Sequence, residues 1–203
     1  MSKEKKIKQS KFGTYYTIPF SNSRGVVEDF ISVGKKTMKV YAVGDDDVTY
    51  AREKIREYKE KGVSLSFSAF ILYCFVQTVH ENPRMQAIKL RRRKMVIFED
   101  VDVHFLVERE VKGVKVPTTV LIRKAQDKSI LDLTDILRGT QEIKDDSMAN
   151  KEGEGGSETD ILLKLPSRLR RWLFNFIFKN PFRRRQFIGT IGMTSIGMFA
   201  GGE

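Results

Sequence analysis

Two adjacent hydroxyls, Thr194 and Ser195, lie in an apolar run that is cut repeatedly by glycine, Gln186-Phe187-Ile188-Gly189-Thr190-Ile191-Gly192-Met193-Thr194-Ser195-Ile196-Gly197-Met198-Phe199-Ala200-Gly201-Gly202-Glu203. Glycine inside a strand costs entropy and packs nothing. Strands keep it where a bulge is needed or where another backbone or a ligand comes close. Acyl transfer between thiols or hydroxyls passes through a tetrahedral oxyanion, which a fixed hydroxyl about 3 Å away stabilises by a few kcal/mol. Thr194 or Ser195 has the chemistry of such a donor. A core strand with small residues for packing explains the same letters, and taken alone it is the commoner explanation.

The chain has two histidines. His80 comes just before Asn82-Pro83, at the expected end of a helix, where a histidine near the negative end of the dipole is usually structural. His104 follows Asp102 by one pleat on the polar face of an alternating segment, and a histidine–carboxylate pair of that kind orients a base. A solvated or interfacial histidine is the commoner outcome, so His104 is a low-ranking candidate base. The single cysteine, Cys74, excludes an internal disulfide framework and a cysteine-rich metal site. Its apolar neighbours, Phe70 to Val76, predict a buried, inert thiol. No His/Cys/Asp cluster has metal-ligand spacing, no glycine-rich phosphate loop joins a strand to a helix, and no Gly-x-Ser-x-Gly elbow occurs. No metal is expected.

A chain of 203 residues supports one domain with a sizeable core, or at most two small ones, and 40% hydrophobic residues with 14 phenylalanines argue for a folded chain. The net charge of +11 is clustered. Lysines crowd the N-terminus, Lys89, Arg91, Arg92, Arg93 and Lys94 form a middle run, and Arg168, Arg170, Arg171, Lys179, Arg183, Arg184 and Arg185 lie near the end. Such clusters attract nucleic acid, anionic lipid or a phosphorylated ligand, although a solvated face is the usual explanation. The basic runs are not interleaved with aromatics as on a nucleic-acid module, so no nucleic-acid partner is expected. Lysines follow Met1 with no apolar core behind them, and no apolar run reaches a membrane-spanning length; the expectation is a cytoplasmic protein.

The elements that must carry these residues read as a mixture of helices and strands. Residues 1–36 form an N-terminal arm in which Tyr15, Tyr16, Ile18 and Phe20 suit an edge strand or a packing arm. Thr37 to Val43 reads as a strand. Asp47 caps a surface helix from Val48 to Lys61-Gly62, with Tyr50, Ala51, Ile55 and Tyr58 inward. Ser66 or Ser68 starts a core helix that Pro83 stops. Met85–Leu90 and Met95–Phe98 form a hairpin around the basic run. Val101 to Glu108 alternates as a strand, Lys112-Gly113 turns, and Val114 to Ile122 returns beside it. Ser129 caps a helix running to Ile143, with Ile130, Leu133, Ile136 and Leu137 inward. Residues 145–159 are a flexible loop by composition. An amphipathic basic helix at about 160–179 holds Trp172 and docks on the sheet, and Pro181 with Arg183–Arg185 leads into the closing strand. The sum is an α/β sandwich with a mixed sheet.

Several blocks then resemble, in order, the catalytic domain of the 2-oxoacid dehydrogenase acyltransferases, the lipoamide acyltransferase components of those complexes. They are Ser66-Phe67-Ser68-Ala69-Phe70 through Glu81-Asn82-Pro83-Arg84-Met85; Val96-Ile97-Phe98-Glu99-Asp100-Val101-Asp102-Val103; Val107-Glu108-Arg109-Glu110, Val116-Pro117, Ile122-Arg123-Lys124-Ala125 and Lys128-Ser129; and Ile191 to Phe199, which is similar to the family's Thr-Ile-Ser-Asn-Leu-Gly-Met-Phe strand. The likeness covers about residues 37–200 and is closest to short stand-alone members.

The resemblance implies a chloramphenicol-acetyltransferase-like two-layer sandwich, trimers or higher homo-oligomers with active sites at subunit interfaces, and acyl transfer between coenzyme A, a substrate here, and a thiol such as dihydrolipoamide. Matched on Gly-Met-Phe, the family's hydroxyl position falls on Thr194 and its Asn position on Ser195, so Thr194 ranks first as oxyanion donor and Ser195 second. The family's His-x-x-x-Asp-Gly base motif follows this strand, and neither His80 nor His104 stands in such a motif. The expectation is a C-terminally incomplete catalytic domain over 37–203 that is inactive alone, without a lipoyl domain, and with a basic insertion at about 160–185 that the classical components lack. Two alternatives stand beside it. One is a non-catalytic, oligomerising relative. The other, less favoured, is a protein that binds membrane surfaces through Leu169, Trp172, Leu173, Phe176 and Ile177 with their basic neighbours.

Overall fold

The computed structural model describes residues 7–11, 13–17, 22–35, 40–91, 93–111, 114–142 and 165–195. Its centre is a three-stranded mixed sheet. Strand β5 (Val103–Val111) pairs antiparallel with β6 (Val114–Ile122) and parallel with β7 (Ile191–Thr194), in the order β6-β5-β7. Alternation decides the faces. Val103, Phe105 and Val107 are fully buried on one side, and Ile191 and Met193 of β7 join them there.

Two helices cover that side. Helix α3 (Phe67–Glu81) buries Ala69, Leu72, Val76 and Val79, and α4 (Ile130–Glu142) buries Leu133 and Leu137. Both start where the sequence predicts. The Ser66 hydroxyl accepts from the Ala69 N–H at 3.4 Å, and Pro83 follows the last turn of α3. At α4, Ser129 Oγ accepts from the Asp132 N–H while Asp132 Oδ2 accepts from the Ser129 N–H, a reciprocal cap. Thr134 adds a cross-link between these helices: its buried hydroxyl accepts from the Ser66 N–H.

The smaller elements flank this unit. Strands β1 (Ile7–Ser10) and β2 (Gly13–Tyr16) form a hairpin, which accounts for Tyr15 and Tyr16; Ile18 and Phe20 lie outside the described residues. Helix α1 spans Asn22–Gly34, and α2 spans Thr49–Glu60. Strands β3 (Ile88–Arg91) and β4 (Lys94–Val96) make the expected hairpin after a short 3-10 turn at Pro83–Gln86. Helix α5 (Ser167–Lys179) and helix α6 (Pro181–Ile188) precede β7. No helix among the described residues is long and apolar enough to cross a membrane. The loop expected at 145–159 lies outside the described residues.

The structure corrects several expectations. Residues 40–43 are irregular and exposed rather than a strand, since no neighbouring strand pairs with them among the described residues; 37–39 lie outside those residues. Helix α2 buries no residue, and Tyr50 and Tyr58 face outward, Tyr50 beneath the Lys54 ammonium. Cys74 is exposed, because the i, i+3, i+4 stripe through Leu72 and Val76 turns it away from the core. Arg183–Arg185 belong to a helix. Asn180 Oδ1 caps it by accepting from the Phe182 and Arg183 N–H groups, and Pro181 suits its first turn. Helix α5 docks on α1 and not on the sheet, with Phe30 edge-on to Phe174 and tilted against Phe178.

Candidate functional site

Thr194 ends β7 opposite Leu106, and its side chain is exposed. Ser195 follows just past the strand and is half-buried. In a parallel pair, opposed residues point to the same face. The register His104↔Gly192 and Leu106↔Thr194 therefore puts His104 and Thr194 together on the face away from α3 and α4. Strand spacing of about 4.8 Å and a two-residue rise of about 6.6 Å place their Cα atoms roughly 8 Å apart. Gly192, between them on that face, has no side chain to intervene. Burial lowers the pKa of His104, so its imidazole is neutral at neutral pH.

The expected pairing of His104 with Asp102 does not form. Asp102 is buried and its carboxylate is fully engaged elsewhere. Arg185 Nε donates to Oδ2 at 2.7 Å, Arg123 Nη1 donates to the same oxygen at 2.9 Å, and the Lys124 N–H donates to Oδ1 at 3.0 Å. Burial pushes the Asp102 pKa up, but the hydrogen bonds from Arg185, Lys124 and Arg123 outweigh it, and the carboxyl stays below its usual range. Arg185 is spread further, with Nη2 on Asp100 at 2.9 Å and its guanidinium 4.8 Å above the Phe98 ring. Arg123 also donates to the Arg185 and Gln186 carbonyls at the end of α6, where helix carbonyls lack partners of their own.

The backbone of Asp102 holds the other half of the arrangement. Its carbonyl accepts from the Thr190 N–H at 2.7 Å and the Ile191 N–H at 3.2 Å, and its N–H donates to Thr190 Oγ1 at 3.1 Å. Gly189 makes this approach possible. It has φ +77°, and a Cβ there would lie 2.5 Å from the Asp102 carbonyl oxygen. Thus Asp102, Arg123, Arg185 and the Gly189-Thr190 pair together set the register of β7 and hence the position of Thr194. From the sequence alone Asp102 stands out only as an orienter for His104, Arg123 only as part of the Ile122-Arg123-Lys124-Ala125 block, and Gly189 and Thr190 only as letters of the closing run. The available signal was an acid between two valines, Val101 and Val103, in a chain with a run of three arginines.

A shallow cleft of about 410 Å³ lies over this cluster, lined by Asp102, Arg123, Lys124, Phe182, Arg185 and Gln186. Its two arginines are committed to Asp100, Asp102 and helix carbonyls, so it is a structural ion-pair cluster and not a phosphate cradle. His80 is exposed in the last turn of α3, on an element of the opposite layer from Thr194. Among the described residues no group of His, Cys, Asp and Glu is arranged to hold a metal ion.

Residues 13–159 match the family described as 2-oxoacid dehydrogenases acyltransferase (catalytic domain). No curated protein matches the chain in sequence. Among solved structures, a probable dihydrolipoamide acetyltransferase from Listeria monocytogenes 4b F2365 superposes with a TM-score of 0.58 at 16% identity, covering 92% of this chain and 67% of that one. The cubic core of a pyruvate dehydrogenase multienzyme complex gives 0.54 at 17% identity, over 66% of this chain and 56% of that one. A truncated catalytic core of the 2-oxoacid dehydrogenase multienzyme complex from Thermoplasma acidophilum gives 0.51 at 16% identity, over 61% and 56%. The chain therefore spans little more than half the length of two of these structures and two thirds of the third. At such identities the likeness shows the fold, a chloramphenicol-acetyltransferase-like α/β arrangement.

Proposed function

Because the chain belongs to the 2-oxoacid dehydrogenase acyltransferase (catalytic domain) family, we propose that it takes part in moving an acyl group between coenzyme A and a thiol acceptor such as dihydrolipoamide. The observation that carries this reading is the placement of Thr194 at the exposed end of a strand whose start is held by the Asp102 backbone. A base removes the acceptor thiol proton, and the thiolate adds to the thioester carbonyl. The Thr194 hydroxyl donates to the resulting oxyanion. Collapse expels the coenzyme A thiolate, which takes up the proton. Ser195 is the second-ranked donor. Homotrimers with sites at subunit interfaces are the assembly that goes with this reading.

Neither histidine of the 203 residues stands in a His-x-x-x-Asp-Gly motif, so on this reading the base is contributed from beyond them. The 203-residue chain is then inert with acetyl-coenzyme A and dihydrolipoamide. One observation favours a second reading, with His104 as base: it is neutral and shares a sheet face with Thr194. The same assay separates the two. Turnover by the 203-residue chain that disappears in His104→Ala assigns the base to His104 and overturns the first reading. In whichever form of the protein turns over, Thr194→Ala lowers kcat roughly 100-fold with little change in KM, as expected for a donor that acts in the transition state. An unchanged kcat removes Thr194 from the site.

A further inference from the structure

Helix α5 divides into two working stripes. At 100° per residue, Arg170, Phe174 and Ile177 fall on one side and are buried against α1. Leu169, Trp172 and Phe176 fall within roughly 60° of one another on another side. All three are exposed, at 51%, 63% and 43%. The Trp172 and Phe176 rings stack at 5.7 Å with only 8° between their planes, and the Arg183 guanidinium of α6 covers Phe176 at 3.7 Å. This is a continuous apolar strip with a cation at one end, and none of the described elements covers it.

Its charge decides the partner. From Ser167 to Ile188 there are seven arginines and lysines and no aspartate or glutamate. Asp29 takes Arg170 and Arg171, and Asp100 and Asp102 take Arg185. Arg168, Lys179, Arg183 and Arg184 make no ion pair among the described residues. On the helical wheel Arg168 and Lys179 both fall within roughly 40° of Trp172, along one edge of the Leu169–Trp172–Phe176 strip. A second copy meeting it strip to strip about a two-fold axis would bring the same cations together, whereas an anionic surface would neutralise them while accepting the rings. At 13 residues the helix is too short to cross a bilayer, but it has the make-up of one that lies in the headgroup layer.

We propose that the outward strip of α5, with Arg183 of α6, docks on a bilayer containing anionic lipid. The proposal is independent of the acyl-transfer reading. Trp172 is the chain's only tryptophan, so its emission reports this face without interference. The test adds vesicles of phosphatidylcholine alone, or of phosphatidylcholine and phosphatidylglycerol in equal parts, to the 203-residue protein and follows co-sedimentation and Trp172 emission. The expected result is sedimentation with the mixed vesicles only, a blue shift on binding, and release by high salt. Arg168→Gln and Lys179→Gln each weaken partitioning roughly fivefold. The double variant Leu169→Ser with Phe176→Ser, both exposed positions, abolishes binding with an unchanged far-UV circular dichroism spectrum. Absence of sedimentation or of a blue shift with the mixed vesicles overturns the proposal. So does emission that is already blue without lipid and reddens on dilution as light scattering falls, which would mean that a second copy covers the strip.

Discussion

At Gly189 a side chain has nowhere to go. The positive φ disfavours any L-residue, and the Cβ position is filled by a backbone carbonyl that cannot swing aside. Gly189→Ala is expected to cost about 2–4 kcal/mol, adding backbone strain to a forced displacement of Asp102. Chemical denaturation should show the loss in the midpoint, and an unchanged midpoint would mean that β7 can detach freely. This position was not legible in the sequence, where Gly189 is one of several glycines in an apolar run and only a residue 87 positions upstream gives it meaning. Thr194 stands out in the sequence only through its place in the order of motifs. Cys74 was misread because its neighbours in sequence are not its neighbours around the helix.

Among the described elements, the ion pairs of α5 converge on one acid. Asp29 of α1 is buried and accepts from Arg170 Nε at 2.8 Å and Arg171 Nε at 2.7 Å. Asp29→Ala leaves Arg170, with a side chain only 7% exposed, as an uncompensated buried charge, at a cost of about 3 kcal/mol. Limited proteolysis should then cut in α5 or α1 well before the central sheet, and equal protection of wild type and variant would show that Phe30, Phe174 and Phe178 suffice. Local signals foretold the helices that begin with a capping serine and the strands that alternate, since caps and pleats act over three residues or fewer. The docking of α5 on α1 was not foretold, because the partners Asp29 and Arg170 are 141 positions apart. The arginine triplet read as a connector for the same reason: the groups facing Arg185, at 100 and 102, are distant in sequence.

For the molecule as a whole, the two buried carboxylates Asp29 and Asp102 and the partly buried His104 make acid act with one sign. Asp29 and Asp102 have lowered pKa values: burial raises each, and the arginine hydrogen bonds more than reverse it. Their contribution is full above the unfolded value of about 3.9 and is lost as pH falls through the lower folded values. His104 is also lowered, by burial, so the folded chain binds this proton less readily than the unfolded chain does. Its neutral form is tolerated above about 6.5, and stability declines as pH drops below that. Melting temperatures should therefore fall in two stages on acidification, first below about 6.5 and again below about 4. His104→Gln should remove the first stage alone, and a profile flat from pH 7 to 5 would contradict the sign derived for His104. The fastening of β7 by Asp102 has one more consequence, for the order of assembly. The Thr190 hydroxyl reaches Asp102 across 88 residues of chain, whereas the paired ends of β5 and β6, Val111 and Val114, are neighbours in sequence. Loop-closure entropy must be met before such a contact repays it, so the β5–β6 hairpin forms early and the hydroxyl-bearing strand docks late. During synthesis and refolding, the glycine-rich strand therefore waits, unpaired, for a sheet edge that is already built.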